Sequence, residues 1–150
     1  LEIAGQINGI TIIDDYAHNP AKIFAALSAA AETCTQLHAY WRPHGFMPLL
    51  QGMDELAEVF SEHLKTRSGS VYILPVYYAG GTVERKVTAK DLVKRINSTG
   101  ARAIYTPDYD SLKSALQKTA VRGDAILGMG ARDPELPRFA KRLVNEWKIS

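Results

Sequence analysis

The sequence predicts an α/β fold, in which a mostly parallel sheet is flanked by helices. Short apolar runs typical of strands alternate with segments whose apolar residues recur at helical spacing. Asn8-Gly9 separates two β-like runs near the start, which predicts a hairpin and an antiparallel strand at one edge of the sheet. The length of 150 residues suits one compact domain, so we take residues 1–150 as a single Rossmann-like domain.

The first three predicted elements are this hairpin and the helix that follows it. Glu2–Ile7 and Ile10–Asp14 are the two strand-like runs on either side of the Asn-Gly turn. Asn19-Pro20 then provides a helix N-cap followed by proline at the first helical position. The apolar residues of that helix recur every three or four positions, at Ile23, Phe24, Leu27 and Ala30.

The rest of the chain repeats the order of strand followed by helix. The further predicted strands are Gln36–Trp41, Val71–Tyr77, Ala103–Thr106 and Ala125–Met129. The further predicted helices are Asp54–Leu64, one from the Thr88 cap to Gly100, one capped by Asp108, and one that opens at Asp133-Pro134. Strands that alternate with helices in this way favour parallel pairing, with helices on both faces of the sheet.

Composition and charge exclude several classes of protein. The 18 basic and 16 acidic residues are spread along the chain, so no basic stripe indicates a nucleic-acid partner. Cys34 is the only cysteine, which excludes an intramolecular disulfide and a cysteine zinc site and favours a reducing, cytoplasmic compartment. No run approaches the ~20 apolar residues of a membrane span, so we expect no membrane partner. Leu1 already begins a strand-like run, which favours a domain excised from a larger protein.

Four loops follow the predicted parallel strands, at the sheet edge where ligands of such folds usually bind. They cover residues 14–20, 41–46, 77–81 and 128–133, and they are rich in polar, aromatic and glycine residues. From the residues alone, the candidate ligand edge comprises Asp15, His18, Arg42, His44 and Gly128–Asp133. Each candidate also has a simpler structural interpretation: Asn19 as a helix cap, the histidines as surface residues, and Gly128-x-Gly130 as a turn. No phosphate-binding G-x-x-x-x-G-K-[ST] loop is present.

The stretch from Ile3 to Pro20 resembles the opening of the third, C-terminal domain of Mur ligases. It contains the hairpin Gly5-Gln6-Ile7-Asn8-Gly9 and the specific core Asp15-Tyr16-Ala17-His18. Three later segments agree with the family in the same order: Arg42-Pro43-His44, Leu74–Gly80 and Gly123–Ala131. The similarity therefore extends over essentially the whole chain and is greatest to the branch that adds L-alanine to UDP-N-acetylmuramate.

The resemblance implies an ATP-dependent, ADP-forming ligase of peptidoglycan precursor synthesis, in which this domain closes over the nucleotide and positions the incoming amino acid. It implies nucleotide binding by Asp15 and Asn19, and substrate binding by Tyr16, His18, Arg42 and His44. It implies no catalytic residue and no metal ligand within this domain alone, because ATP and Mg²⁺ are bound mainly by the central domain of such enzymes. The implied partners are a UDP-sugar acceptor, an amino acid and ATP, in an enzyme expected to be monomeric.

Two departures from the family pattern keep other functions open. The alanine-adding branch has arginines where this chain has Gly45 and Pro48, and Arg42 is a candidate substitute for them. One alternative is a related amide ligase, such as a tripeptide-recycling ligase, a cyanophycin synthetase or a folylpolyglutamate synthetase. The other alternative is a stand-alone nucleotide-binding module.

Overall fold

The computed structural model describes residues 1–78 and 88–147 of the chain. The six strands are β1 (Glu2–Ile7), β2 (Ile10–Asp15), β3 (Leu37–Trp41), β4 (Gly69–Ile73), β5 (Ile104–Tyr105) and β6 (Ala125–Met129). The five helices are α1 (Pro20–Ala31), α2 (Phe46–Thr66), α3 (Ala89–Asn97), α4 (Tyr109–Thr119) and α5 (Glu135–Glu146). No helix within these described ranges is both long enough and apolar enough to cross a membrane.

The strands form one sheet in the order β1-β2-β6-β3-β4-β5. Strand β1 pairs antiparallel with β2, and every other pair is parallel, which confirms the predicted fold class and its antiparallel edge. The hairpin turn places Asn8 at φ 53° and Gly9 at φ 77°. Positive φ at both central residues matches the twist of the flanking strands, which is why Asn-Gly is favoured at this position.

Both faces of the parallel sheet are covered by helices, and each face has its own apolar core. Leu27 of α1, Phe60 of α2 and Ile96 of α3 belong to one buried cluster. Leu116 of α4 and Phe139 of α5 belong to the other. Successive strand residues contribute alternately to the two clusters, as the two-residue repeat of a strand requires. This explains why the strands are apolar at nearly every position.

The order of the strands creates a crevice at the carboxyl end of β6. The neighbouring strands β2 and β3 lead into α1 and α2, which belong to the first core, whereas β6 leads into α5, which belongs to the second. Loops that leave adjacent parallel strands toward opposite faces open a cleft between them, and ligands of α/β sheets bind at such switch points. The loops after β2, β6 and β3 therefore surround the place where a ligand is expected.

Two predicted boundaries differ from the structure near this crevice. Helix α2 begins at Phe46 rather than Asp54, because Pro48 lies in its first turn, where a missing backbone N–H breaks no helical hydrogen bond. Strand β4 ends at Ile73 rather than continuing to Tyr77. Beyond Ile73 the backbone stays attached to the neighbouring strand and its loop: the Leu74 N–H donates to Trp41 O at 3.0 Å and the Tyr77 N–H to Pro43 O at 2.7 Å.

Smaller differences occur at other strand ends. The predicted strands at Gln36–Trp41 and Ala103–Thr106 shorten to Leu37–Trp41 and to the two residues of β5. Strand β2 extends one residue further than predicted, to Asp15. The predicted strand at Ala125–Met129 has the observed bounds. The Gly80-Gly81 part of the third candidate loop lies outside the described residues.

Candidate functional site

The loop after β2 holds its shape through two side chains that were predicted to bind the nucleotide. Asp15 Oδ1 accepts a hydrogen bond from the Ala17 N–H at 2.8 Å. Asn19 Oδ1 accepts one from the Lys22 N–H at 2.9 Å, so Asn19 is the N-cap of α1. Asp15 Oδ2 also lies 2.8 Å from the Leu1 amino group. A carboxylate has about four acceptor positions, and these two contacts leave others for a ligand. The loop is therefore preorganised by the same residues that form its polar edge.

The two other candidates of this loop are Tyr16, which is exposed, and His18, which is partly buried. The Tyr16 side chain is among the most exposed large apolar groups of the described chain, at 76% relative accessibility. The His18 ring lies half-buried, with Nδ1 3.1 Å from the Tyr16 carbonyl oxygen. That contact orients the imidazole and leaves its Nε2 edge directed away from its own loop.

Arg42, in the loop after β3, is already engaged within the protein. Its Nη1 donates to Asp133 Oδ2 at 2.9 Å, and its Nε donates to Pro75 O at 3.1 Å. The guanidinium also lies 5.6 Å from the ring centres of both Tyr77 and Tyr109. This pairing with a buried carboxylate and two aromatic rings connects three loops of the edge.

His44 lies beside His18, so two predicted substrate residues from different loops come together. Their ring centroids are 5.8 Å apart, with the ring planes tilted by 56°. Burial, the positive charge of Arg132 and the proximity of His18 lower the pKa of His44 below its ordinary value. At neutral pH the ring is therefore an uncharged imidazole, which can both donate and accept one hydrogen bond.

The backbone around His44 is held by the segment that follows β4. His44 forms an isolated parallel bridge with Tyr77, and the Gly45 N–H donates to Tyr77 O at 3.0 Å. Gly45 adopts φ 76°, a conformation that favours glycine, and it lies at the N-cap position of α2. The position of the His44 side chain is thus fixed by backbone hydrogen bonds on a loop between a strand and a helix.

A cavity of about 200 Å³ opens between the start of α1 and the first half of α2. Its wall combines the two imidazoles with apolar and proline residues: His18, Asn19, Pro20, Trp41, Pro43, His44, Pro48, Leu49, Gly52 and Leu56. The Trp41 Nε1–H is buried and has no hydrogen-bond partner in the described part of the chain. Because buried donors are nearly always paired, this unpaired N–H is an exception among the buried polar groups of the described residues.

The glycines of the loop after β6 have packing roles. A Cβ atom at Gly128 would lie 2.3 Å from the Tyr40 ring, so only glycine leaves room for this ring to pack against the neighbouring strand. At Gly130, φ is 149° and a Cβ would meet Leu136 Cδ1 at 2.4 Å. The Gly130 N–H donates to Asp15 O at 3.2 Å and so joins the loops after β2 and β6. These contacts support the interpretation of Gly128-x-Gly130 as a close-packed turn.

The described residues do not fit a complete site for ATP and Mg²⁺. No group of three or more His, Cys, Asp or Glu side chains within residues 1–78 and 88–147 is arranged to hold a metal ion. The chain also lacks a phosphate-binding loop. The loops at this edge present one acidic residue, Asp15, and the two imidazoles of His18 and His44.

Most residues of this edge could be identified from the sequence, but two of its features could not. Trp41 was predicted only as the last residue of a strand, and no pattern in the sequence indicates that its N–H lacks a partner. The pairing of Arg42 with Asp133 joins residues 91 positions apart and was not anticipated. The proximity of His18 and His44 was expected only in general terms, from their positions after neighbouring strands.

Comparison with known proteins gives the family of this chain. A family model described as the glutamate ligase domain of Mur ligases matches residues 1–132. The chain belongs to the Mur ligase family. The resemblance noted for the Asp15–His18 motif is thereby confirmed.

Relatives of the chain include UDP-N-acetylmuramate–L-alanine ligases. The ligase of Lachnospira eligens is 31% identical over 133 residues, and the match covers 88% of this chain and 28% of that protein. The ligase of Pelotomaculum thermopropionicum is 34% identical over 134 residues, with the same two coverages. This Mur ligase chain thus spans about 28% of the length of the curated relatives that it matches.

Solved structures show the same fold. The UDP-N-acetylmuramate–alanine ligase of Thermotoga maritima aligns with a TM-score of 0.69 at 20% identity, covering 97% of this chain and 29% of that one. A domain from a putative UDP-N-acetylmuramate:L-alanyl-γ-D-glutamyl-diaminopimelate ligase of Haemophilus ducreyi aligns with a TM-score of 0.66 at 22% identity, covering 99% of both chains. At these identities the likeness concerns the fold alone.

Proposed function

We propose that this chain is the C-terminal domain of a three-domain, ADP-forming ligase that joins an amino acid to a UDP-N-acetylmuramate-type acceptor. The observation that carries the proposal is the convergence of His18, Asn19 and His44 on one cavity at the switch point of the sheet. Membership of the Mur ligase family and the length of the relatives support a larger enzyme. The proposed partners are therefore ATP, an amino acid and a UDP-sugar.

In the proposed reaction, ATP phosphorylates the acceptor carboxylate, the amine of the amino acid attacks the acyl phosphate, and the products are an amide, ADP and phosphate. The central domain holds ATP and Mg²⁺. This domain closes over the nucleotide, and the loop fixed by Asp15 and Asn19 faces the ribose, whose hydroxyls donate to the carboxylate. Closure removes water from the acyl phosphate and so favours amide formation over hydrolysis.

The histidine pair and the cavity are proposed to receive the amino acid. An uncharged His44 can accept a hydrogen bond from an ammonium group or donate one to an oxygen, without repelling an attacking amine. Tyr16, exposed on the adjacent loop, is available to cover the ligand when the domains close. Holding two reactants in a fixed orientation is the main catalytic contribution that such a domain makes.

The names of the relatives suggest which amino acid is added, and the cavity suggests a second candidate. Their names give L-alanine as the substrate, and we propose L-alanine first for this chain. The cavity of about 200 Å³ has room for several water molecules, each of which needs about 10–15 Å³ of such space, so it extends beyond a single methyl side chain. This observation favours, as the second candidate, a related amide ligase that adds a larger uncharged amino acid.

The test is an ADP-release assay of the full-length protein against a panel of amino acids and UDP-sugar acceptors. We expect ADP release that requires both an acceptor and an amino acid, with L-alanine or a larger uncharged amino acid as the best substrate. The 150-residue chain alone should release no ADP, because it lacks a phosphate-binding loop. ADP release by the isolated chain above contaminant controls, or none by the full-length protein with any pair, would contradict the proposal.

A further inference from the structure

A second cavity, a groove of about 410 Å³, opens between the outward faces of α1 and α2, which pack side by side. Its apolar part is formed by Pro20, Ala21, Phe24 and Val59, and three glutamates of α2 complete its lining. We call it the α1–α2 groove. It shares only Pro20 with the cavity beside the two imidazoles, so it is a separate surface of the molecule.

Phe24 is the largest apolar side chain of this groove, and much of it is exposed. The three- and four-residue repeat of α1 groups Phe24 with Ile23, Leu27 and Ala30, but only the other three are buried. Phe24 remains 53% exposed. Exposed apolar surface bordered by polar groups is typical of protein interaction sites. The groove therefore combines an aromatic side chain that lacks a full packing partner with space for one.

The glutamates on the other wall of the groove carry charges that the described residues do not balance. Glu55, Glu58 and Glu62 are exposed and, at spacings of three and four residues, lie on one face of α2. Among the described residues no lysine, arginine or histidine lines the groove. Other exposed glutamates of this chain have partners, as Glu135 has in Arg138. The groove is thus acidic as well as apolar.

This arrangement of charges has a cost for the free protein. Like charges three or four residues apart on a helix destabilise it, so the three glutamates reduce the stability of α2. Cations placed beside them would remove the repulsion. An apolar group on the same ligand would bury the exposed part of Phe24. Both features of the groove are therefore satisfied by a single ligand that carries positive charges next to an apolar group.

We propose that the α1–α2 groove binds a basic, amphipathic helix of another protein. An apolar side chain of that helix packs against Phe24, and its lysine or arginine side chains pair with Glu55, Glu58 and Glu62. The three glutamates span seven residues of α2, a length of ~10 Å, which matches basic residues on one face of a second helix. Helices of this kind commonly bind with their apolar face in a groove.

Charge argues against two other classes of partner. Nucleic acids present a row of negative phosphates, and the cytoplasmic face of a membrane carries anionic lipids. Either would be repelled by the glutamates of α2, whereas a basic protein segment is attracted by them. The inference does not depend on the ligase reaction, because the groove lies outside the proposed substrate cavity.

The test selects binding peptides from a library of random peptides displayed on phage, with the full-length protein as the target. We expect the enriched peptides to carry a net positive charge and at least one large apolar residue. The most enriched peptide, labelled with a fluorophore, should bind Phe24→Ala with a Kd about 10-fold or more above that of the wild type, the scale for losing an aromatic anchor. The triple variant Glu55→Gln, Glu58→Gln and Glu62→Gln should show a similar loss, and added salt should weaken binding to the wild type.

Two matched controls remove similar groups elsewhere. Ile104→Ala removes an apolar side chain of β5 that is 42% exposed, and Asp110→Asn removes the charge of an exposed carboxylate of α4. Both should bind the peptide with the Kd of the wild type. The triple glutamine variant should melt at the wild-type temperature or above it, because the repulsion within α2 is removed. Weaker binding by that variant therefore cannot result from unfolding. ADP release by Phe24→Ala and by the triple variant should equal that of the wild type.

Four results would overturn the inference. Two of them are enriched peptides without a net positive charge, and equal binding of the selected peptide to the wild type and Phe24→Ala. A wild type that forms larger assemblies than Phe24→Ala in size-exclusion chromatography would assign the groove to a second copy of the protein. Loss of ADP release in Phe24→Ala, at an unchanged melting temperature, would assign it to contacts within the ligase itself.

Discussion

The histidines at the two ends of the sheet lie in different environments. At the amino end, His38 is fully buried, with Nδ1 2.7 Å from Ser70 Oγ and Nε2 2.9 Å from Asp124 Oδ2. At the carboxyl end, His18 and His44 are half-buried at the mouth of a cavity, 5.8 Å apart. The first histidine has both ring nitrogens paired within the protein, whereas the other two face a space that a ligand can enter.

A histidine whose two ring nitrogens are hydrogen-bonded within the protein contributes to stability. A histidine that lines a cavity is available to bind a ligand. The Ser70–His38–Asp124 row has the composition of a catalytic triad, but its histidine is fully buried and its aspartate also accepts from the Val121 N–H at 3.0 Å. Buried polar networks whose groups are all paired rigidify a structure. We therefore expect substitutions at the amino end to reduce stability, and substitutions at the carboxyl end to reduce ligase activity without unfolding the domain.

The largest expected effect follows replacement of the carboxyl-end residues. In the full-length enzyme, His44→Ala should lower kcat/KM by about 100-fold, the scale for losing a group that orients or stabilises the reacting atoms. Asp15→Ala should also lower activity, because it removes the carboxylate that is proposed to accept hydrogen bonds from the ribose of the nucleotide. His44→Ala should keep the wild-type melting temperature to within about 2 °C, since its side chain belongs to no core. Asp15→Ala should be somewhat less stable, because the Ala17 N–H loses its acceptor. Wild-type kinetics for both would remove these residues from the site.

At the amino end, Asp124→Ala should destabilise the domain by about 2 kcal/mol, because it leaves the buried donor of His38 and the part-buried Val121 N–H without an acceptor. Chemical denaturation of the 150-residue chain measures this. The matched control is Asp110→Ala, whose carboxylate is 92% exposed and lies 3.8 Å from Arg142, so it should cost less than about 0.5 kcal/mol. Equal losses for the two variants would refute the distinction between a buried network and surface pairs.

A smaller effect is expected from His63, which lies in the last turn of α2. Burial and the charge of Arg67 lower the pKa of His63 from 6.5 to about 4. Between these two values the unfolded chain binds a proton that the folded chain does not, so stability is lost as the pH falls from 6.5 to 4. After allowance for solvent screening we expect the loss to be about 1 kcal/mol. In His63→Gln, the free energy of unfolding should therefore fall by about 1 kcal/mol less over this pH range than it does in the wild type. Denaturation curves at several pH values measure this difference. The same pH dependence in both proteins would exclude His63 as the cause.

The smallest effect concerns the charge of Arg132, which is one of the causes of the lowered pKa of His44. Replacing Arg132 with alanine should raise the pKa of His44, because one of the charges that disfavours the protonated ring is removed. Titration of the histidine ring resonances by NMR measures this, and Arg138→Ala should leave the His44 titration unchanged. An identical His44 titration in wild type and Arg132→Ala would exclude the charge of Arg132 as a cause of the lowered pKa of His44.

Much of the fold could be predicted because its signals are local. The Asn8-Gly9 turn, the Asn19 cap and the alternation of strands and helices all depend on residues close together in sequence. The same holds for the candidate residues Asp15, His18 and His44, whose positions after strands place them at one edge.

Other features could not be predicted because they join distant segments. The insertion of β6 between β2 and β3, which creates the crevice, has no local pattern in the sequence. The unpaired N–H of Trp41 and the pairing of Arg42 with Asp133 likewise depend on packing across the whole sheet. The sequence placed Arg42 among the substrate-binding candidates because of its position beside His44, whereas the contacts of its guanidinium emerge only in three dimensions.

The most direct test of the division between the two ends is hydrogen exchange of the full-length protein, measured by mass spectrometry with and without a nonhydrolysable ATP analogue and L-alanine. We predict slower exchange of the backbone amides in residues 14–20 and 41–46 when the ligands are present. It predicts no change in residues 66–70 and 121–124 at the amino end. Slower exchange at the amino end, with none at the carboxyl end, would contradict the assignment of the ligand site.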